Sequence, residues 1–354
     1  MDRDKLNNDL SYAVRTKHDI SEISQLIKDG ADVNFRARDS SAPLHNAAEF
    51  GYDKAAKVLL DSGADVNAHN MWKERPLHIA ASCGHTDLVK LLAGYGADLD
   101  LTNNDDNTPL ALAIIRGHKE TIRALIELGA DINGKDKIGW TPLHVAAHYE
   151  RPECLQILID AGADLTAKDN FGWTPIYHSI SYNNLPCMET LIQAGADINT
   201  KTNCDCTPLH KAAWHKRPAH IKYLIQAGAD INAVDKTGCT PLVEAVSNKA
   251  TECIALFLAA GADISIPNAE GLTALHEAAI EGSIKTIKML IRAGADLYRT
   301  DGEGNNALDI IREYRPAKAK YIEGLVEMEK KISAKRLKQE DKAKAADTGY
   351  EFDI

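Results

Sequence analysis

The chain has 354 residues, of which 44% are hydrophobic, and its formal net charge is −10. This acidic balance disfavours nucleic acid as a partner, because neutralising phosphates requires clustered lysine and arginine. No stretch stays apolar for the roughly 18 residues that a membrane span needs, and the start, MDRDKLNNDL, lacks the apolar core of a secretory signal. The seven cysteines are an odd number and do not follow the spacing of a disulfide scaffold. We therefore predict an intracellular, cytoplasmic protein with reduced thiols.

The first predicted elements form an N-terminal capping repeat over residues 1–38. Its second helix carries an apolar stripe at Ile23, Leu26 and Ile27, with the i, i+3, i+4 spacing of a helix face. Its first helix, LSYAVRTKHD, is more polar. A polar outer face is what the terminal unit of a repeat stack needs in water.

From residue 39 to 299 the sequence repeats with a period of 33 residues. Two motifs recur with this period. One is the triplet Gly-Ala-Asp, and the other, with the consensus TPLH, starts twelve residues after the glycine of each triplet. That triplet begins at Gly30, Gly63, Gly96, Gly129, Gly162, Gly195, Gly228, Gly261 and Gly294. An unbroken period of this length indicates a solenoid, in which each repeat contacts only its neighbours.

Residues 137–166 show how one period is expected to fold. Thr141 is a helix N-cap, and the proline after it occupies the first helical position, where its missing N–H costs nothing. The second helix buries a stripe made of Leu155, Leu158 and Ile159. Gly162 then ends this helix in the left-handed conformation.

The repeat pattern dissolves after Asn306. Residues 300–330 are predicted to form a C-terminal capping repeat with its helix, and residues 331–354 a charged, disordered tail. Seven basic residues lie between Lys330 and Lys344, and such a run is typical of a solvated helix face.

The nine registered copies of the motif resemble the ankyrin-repeat family from about Leu10 to about residue 310. The resemblance implies an all-α solenoid with β-hairpin turns, built as a stack of eight full 33-residue repeats plus N- and C-terminal capping repeats. It also implies that the TPLH histidine bonds backbone groups of its own and the adjacent hairpin. The histidines in this slot are His45, His78, His144, His210 and His276.

Motifs for catalysis are missing from the sequence, which has no phosphate-binding loop, no G-x-G-x-x-G, no H-E-x-x-H and no G-x-S-x-G. Histidines repeated along the whole stack fit a structural role better than a catalytic one. The candidate zinc site is at the hairpin tips, where Cys204, Cys206 and Cys239 lie near His210 and His215. However, Cys206 and Cys239 are one repeat apart, about 10 Å, which is awkward for a tetrahedral site. We therefore predict no enzyme activity, no metal and no cofactor.

The resemblance further implies that a partner binds along a concave groove, lined by hairpin tips and the ends of first helices. All four tryptophans fall in these groove positions, and exposed aromatic residues are typical of binding hot spots. The predicted partner-binding residues are Trp72, Trp140, His148, Tyr149, Phe171, Trp173, Tyr182, Trp214 and His215. For Trp140 and Trp173 the alternative is that each hairpin aromatic packs on the next hairpin.

The glycine between the two helices of a repeat is replaced in four consecutive repeats, by Glu150, Asn183, Lys216 and Lys249. A residue other than glycine costs about 1 kcal/mol in a left-handed position unless the loop changes shape. These loops are therefore either locally distinct or the product of drift.

These observations predict a monomeric, non-catalytic scaffold that binds an unidentified partner protein, centred on repeats three to six counted from residue 39. One alternative is a bacterial effector that uses the same scaffold after translocation into a host cell. The others are a non-catalytic subunit of an enzyme complex, and an enzyme with metal at the Cys204 hairpin.

Overall fold

The structure is a computed structural model that describes residues 3–16, 19–281, 283–328 and 331. The chain divides into two compact units, unit 1 (Met1–Asp197) and unit 2 (Ile198–Ile354). Apart from Lys331, the predicted tail at 331–354 lies outside the described residues. In the part of the chain that is described, no helix is long and apolar enough to cross a membrane.

Unit 1 is built from helices that follow one another in pairs, each with a first and a second helix. They are α1 (Arg3–Arg15), α2 (Ile20–Lys28), α3 (Pro43–Phe50), α4 (Asp53–Asp61), α5 (Pro76–Cys83), α6 (Thr86–Gly94), α7 (Pro109–Arg116), α8 (Lys119–Glu127), α9 (Pro142–His148), α10 (Pro152–Asp160), α11 (Pro175–Ser181) and α12 (Leu185–Gln193). First helices pack on first helices, as α5 does on α3 and α7, and second helices pack on second helices, as α6 does on α4 and α8.

Unit 2 continues the same order of elements. Its helices are α13 (Pro208–Trp214), α14 (Pro218–Gln226), α15 (Pro241–Ser247), α16 (Thr251–Ala259), α17 (Ala274–Glu281), α18 (Ile284–Arg292), α19 (Ala307–Tyr314) and α20 (316–328). Within this unit α15 packs on α13 and α17, and α16 packs on α14 and α18. The helical solenoid is thus confirmed, whereas the number of eight full repeats and the predicted divisions after residues 38, 299 and 330 stay predictions.

Helix α9 shows why the repeat sequence produces its first helix. Thr141 is extended, with φ −91° and ψ 167°, and Pro142 takes the first helical position. The backbone N–H of Thr141 donates to Nδ1 of His144 at 3.1 Å, which satisfies a donor that the helix leaves open. Gly162, with φ 87°, follows the second helix of the same repeat. The predicted helix start and stop are both confirmed.

The core between neighbouring helices follows the predicted stripe with one correction. Leu155 and Leu158 of α10 are fully buried, but Ile159 is only half-buried. Cys154 and Ile157, 2% and 4% exposed, complete the buried face instead, because residues i, i+1, i+3 and i+4 lie on one side of a helix of 3.6 residues per turn. Cysteines at this position act as small apolar packing residues, and burial raises the pKa of Cys187 to about 12.

Within the residues that the structure describes, the connections between repeats differ from the predicted β-hairpins, because they keep the turn but form no strand. In the turn before α9 the N–H of Asp136 donates to the carbonyl of Trp140, and that of Gly139 donates to Asp136, both at 3.0 Å. Pro142 follows two residues later and has no N–H with which to extend a ladder. Over the described ranges, pairing amounts to one isolated bridge, Thr300 with Asn306.

The loops without glycine keep the conformation of the glycine loops. Glu150 and Asn183 have φ values of 56° and 61°, in the same left-handed region as Gly51 and Gly84. In unit 2, Lys216 and Lys249 do the same, with φ values of 54° and 57°. The neighbour across the repeat boundary varies from loop to loop. The ring of His118 lies over Gly84, the Arg151 side chain lies beside Gly117, and Asn184 lies beside the Glu150 loop.

Candidate partner-binding site

Aromatic side chains gather on one face of unit 1, at the turns before α9 and α11 and at the ends of these two helices. We call this group the aromatic cluster, and its members are Trp140, His148, Tyr149, Phe171, Trp173, His178 and Tyr182. Six of the seven were predicted from the sequence, and the exception is His178.

The exposed part of the cluster is centred on His148, the last residue of α9. Its ring centroid lies 3.9 Å from that of Tyr182 and 4.6 Å from that of Tyr149. Each tyrosine is the C-cap of a first helix, Tyr149 of α9 and Tyr182 of α11. Tyr149 is 41% exposed and Tyr182 is 46% exposed. The next ring, Phe171 at the tip of the adjacent turn, is 61% exposed. Adjacent repeats therefore present large aromatic surface to solvent.

The two tryptophans of the cluster pack against histidine rings of unit 1, and partner binding by them stays a prediction. The Trp140 ring centroid lies 4.6 Å from that of His178, which belongs to the next repeat, and 4.8 Å from that of His148. Trp173 lies 5.6 Å from His178 on the same measure. Both tryptophans are half-buried. Each one therefore packs within unit 1 and also contributes exposed surface beside the tyrosines.

His178 holds the cluster together through a buried pair with Asp169. The Nε2 atom of His178 lies 3.0 Å from Oδ2 of Asp169, and both side chains are almost completely buried. The other oxygen of Asp169 accepts the N–H groups of Phe171 and Trp173, each at 2.9 Å. Burial alone would raise the pKa of Asp169, but the His178 hydrogen bond and these two backbone bonds lower it. The Asp169 carboxylate thus holds both the turn before α11 and the His178 ring on which the two tryptophans pack.

Sequence reasoning missed His178 although the sequence held a signal for it. In this repeat the TPLH slot reads TPIY, so that Tyr177 replaces the usual histidine and the histidine comes one residue later. Tyr177 is fully buried. A shift by one residue rotates a helix position by about 100°, which takes the imidazole from the usual slot to the side of Asp169.

Three of the five TPLH histidines, His45, His144 and His210, make both predicted backbone bonds. In His78 and His276 the Nε2 atom is buried without a hydrogen-bond partner, so these two lack the bond to the adjacent turn. In His144 the Nδ1 atom accepts the Thr141 N–H, so Nε2 carries the proton and donates to the carbonyl of Trp173 at 3.0 Å. In unit 2 the Nε2 atom of His210 donates to the carbonyl of Cys239 at 2.9 Å. Burial lowers the pKa of His144 to about 4, and burial with His178 nearby lowers that of His148. His144 beside the aromatic cluster and His148 within it are therefore neutral at pH 7.

Three predicted residues lie apart from the cluster. Trp72 sits in the turn before α5 of unit 1 and is 49% exposed. In unit 2, Trp214 ends α13 and is 59% exposed, and the half-buried His215 follows it. Burial and the neighbouring Lys211 and Arg217 lower the pKa of His215.

The cysteine turns of unit 2 do not assemble a metal-ligand set. Sγ of Cys206 lies 4.0 Å from Oδ2 of Asp235, and the N–H of Cys239 donates to the same carboxylate. Burial, with the Asp235 charge second, raises the pKa of Cys206 to about 11 and so disfavours its thiolate. Among the residues that the structure describes, no group of three or more His, Cys, Asp or Glu side chains is placed to hold a metal ion.

Paired helices, left-handed glycines after second helices and buried TPLH histidines define a helical repeat solenoid with a face of turns and helix ends. The chain belongs to the ankyrin-repeat family. A family model described as ankyrin repeats (3 copies) matches residues 77–169, 167–235 and 209–301, and one described as ankyrin repeats (many copies) matches residues 44–93.

A solved structure with this fold is the crystal structure of the ankyrin repeat domain of Bcl-3, described as a unique member of the IkappaB protein family. It is 29% identical to this chain with a TM-score of 0.55, and the match covers 58% of this chain and 93% of that one. A search of curated proteins gave no match. Ankyrin-repeat domains are in general protein–protein interaction scaffolds, and the fold is typically non-enzymatic.

Proposed function

We propose that this protein is a non-catalytic scaffold that holds a segment of a partner protein against the aromatic cluster of unit 1. The observation that supports this is the group formed by His148 with Tyr149 and Tyr182, which joins two repeats through ring contacts and remains open to solvent. Aromatic surface of this kind is where binding energy concentrates in protein interfaces.

Two properties of the cluster suit it to this role. Tyrosine offers large contact area with few rotatable bonds, so little conformational entropy is lost when a partner orders it. The rings are also supported from below, because Trp140 contacts both His148 and the buried His178. A surface that is already ordered before binding avoids part of the cost of association.

The remaining predicted residues divide by unit. Trp72 would extend the contact surface of unit 1 towards α5, because it occupies the same position in its turn as Phe171 does before α11. Trp214 and His215 would form a contact surface of unit 2. The histidines beside the cluster serve structural bonds or ring contacts, which supports binding rather than catalysis as the function.

The test is a selection of random peptides displayed on phage against the full-length protein, followed by affinity measurements with synthetic copies of the selected peptides. We expect Tyr149→Ala and Tyr182→Ala to weaken binding at least tenfold each, which corresponds to about 1.4 kcal/mol. Tyr95→Ala is the matched control, because Tyr95 has a similar exposure of 37% but lies at the end of a second helix.

The control variant should bind the peptides as the wild type does. If the selected peptides bind all three tyrosine variants equally well, the aromatic cluster is not the binding surface. Trp140→Ala and Trp173→Ala are less informative, since both side chains pack on His178 and their loss should lower stability together with affinity.

A further inference from the structure

A small cavity lies beside Trp140 in unit 1, between the turn before α7 and the turn before α9. Its volume is about 170 Å³, and its walls include Asp100, Asp106, Asp131, Asp136 and Trp140. Sites for cofactors and drug-sized ligands measure roughly 300–1,000 Å³. The cavity therefore has room for a single side chain rather than for a cofactor.

The walls of this cavity carry more negative than positive charge. Its one lysine, Lys135, donates its ammonium group to the carbonyl of Lys168 at 2.8 Å. Lys137 pairs with Asp106 at 3.1 Å but does not line the cavity. The other three aspartates have no cationic partner among the ion pairs of the described residues. A positively charged group is thus the complement of this cavity.

Two of these aspartates are not required by the fold. Oδ1 of Asp136 accepts the N–H groups of Ile138 and Trp140, at 3.0 and 2.7 Å. One repeat earlier, Oδ1 of Asn103 accepts the equivalent pair of bonds at 3.0 and 2.9 Å. An amide oxygen is therefore sufficient at this position, and the negative charge of Asp136 has no role in the turn.

Asp100 differs from the equivalent residue of the preceding repeat in the hydrogen bonds that it makes. At the equivalent position Asn67 accepts the N–H of Asp98 at 3.0 Å and donates its amide to the carbonyl of Gly96 at 3.3 Å. Asp100 accepts the N–H of Asp131 at 2.9 Å, but a carboxylate has no hydrogen to donate to the next glycine carbonyl. The interface between the repeats of Asp100 and Asp131 therefore has one hydrogen bond fewer than the preceding interface. In its place, the cavity wall carries a negative charge.

We propose that this cavity binds an arginine side chain of the partner segment whose neighbouring residues lie on the aromatic cluster. The proposal rests on the proposed function, since the arginine is delivered by the protein segment bound there. A guanidinium group is planar, donates to carboxylates in pairs and stacks on indole rings, which matches walls made of aspartates and Trp140. Trp140 connects the two parts of the site, because it lines the cavity and contacts His148.

The experiment uses the peptides selected on the full-length wild-type protein. We expect them to share one arginine, flanked by apolar residues. Replacing that arginine by citrulline, which keeps its shape and removes its charge, should weaken binding at least tenfold. With the double variant Asp100→Asn/Asp136→Asn the arginine and citrulline peptides should bind within about twofold of each other, because two of the three unpaired carboxylates are neutralised and the charge of the remaining Asp131 is balanced by that of Lys135.

The double variant is matched to the fold, since both asparagines reproduce hydrogen bonds that other repeats make. Peptides that depend on Tyr149 and Tyr182 but share no arginine, or share a lysine instead, would overturn the arginine site and leave the scaffold function standing. So would an equal loss from citrulline with the wild type and the double variant. If no selected peptide depends on the two tyrosines, the scaffold function fails and the arginine site fails with it.

Discussion

The glycine between α5 and α6 allows the coupling between neighbouring repeats to be measured. Gly84 has φ 79°, and a Cβ atom added to it would lie 2.6 Å from Nδ1 of His118 in the next repeat. The other nitrogen of His118 donates to the carbonyl of Ser82 at 3.0 Å. In Gly84→Ala, the imidazole must move, and it loses this bond.

The expected cost has two parts. An alanine held in the left-handed region costs about 1–2 kcal/mol, and the lost bond of His118 adds about 1 kcal/mol. The variant Gly63→Ala measures the backbone part alone, because Gly63 has φ 88° and nothing lies within 4 Å of an added Cβ atom. Gly84→Ala should therefore destabilise the protein by about 1 kcal/mol more than Gly63→Ala does.

A second substitution should remove this difference. Beside the Glu150 loop, Asn184 stands in the place of the histidine and donates to the carbonyl of Ala147 at 3.1 Å. In a His118→Asn background, Gly84→Ala should thus cost only as much as Gly63→Ala. Urea unfolding followed by circular dichroism gives the free energies, and hydrogen exchange of α5 and α7 localises the effect. Equal costs of the two alanines in the wild-type background would refute the steric argument.

Three further predictions concern stability. Leu158→Ala removes a fully buried side chain of α10 and should cost about 2–5 kcal/mol in urea unfolding; a cost below about 1 kcal/mol would contradict the assigned core. Asp100→Asn should stabilise unit 1 by about 0.5–1.5 kcal/mol, because its amide can donate as Asn67 does, and an unchanged or lower midpoint would contradict this. The pKa of His144 falls from 6.5 to about 4 on folding, so the unfolded chain binds the proton more readily and stability is lost as pH falls from about 6.5 towards 4. Between pH 7 and pH 5 the wild type should therefore lose about 2 kcal/mol more than His144→Gln, at about 1.4 kcal/mol per pKa unit, and equal losses would rule out a neutral buried His144.

The sequence by itself determined the architecture, because the signals for it are local. Pro142 and Gly162 act through their own backbone angles, and Leu155 and Leu158 are placed on one face by the period of a helix. Since each repeat contacts only its neighbours, the same signals return every 33 residues, and family membership followed from them. The positions of the exposed aromatics followed as well, because a slot in one repeat is the same slot in the next.

Only the tertiary structure decided what these side chains contact. The sequence left open whether Trp140 packs or binds, since the answer depends on His178, which lies 38 residues later and outside the usual histidine slot. The cavity beside Trp140 likewise needs Asp100 and Asp136 from different turns, so neither turn alone indicates it. The physical reason is that backbone propensity is carried by each residue and its immediate neighbours, whereas a site is made by side chains that packing brings together across the boundary between repeats.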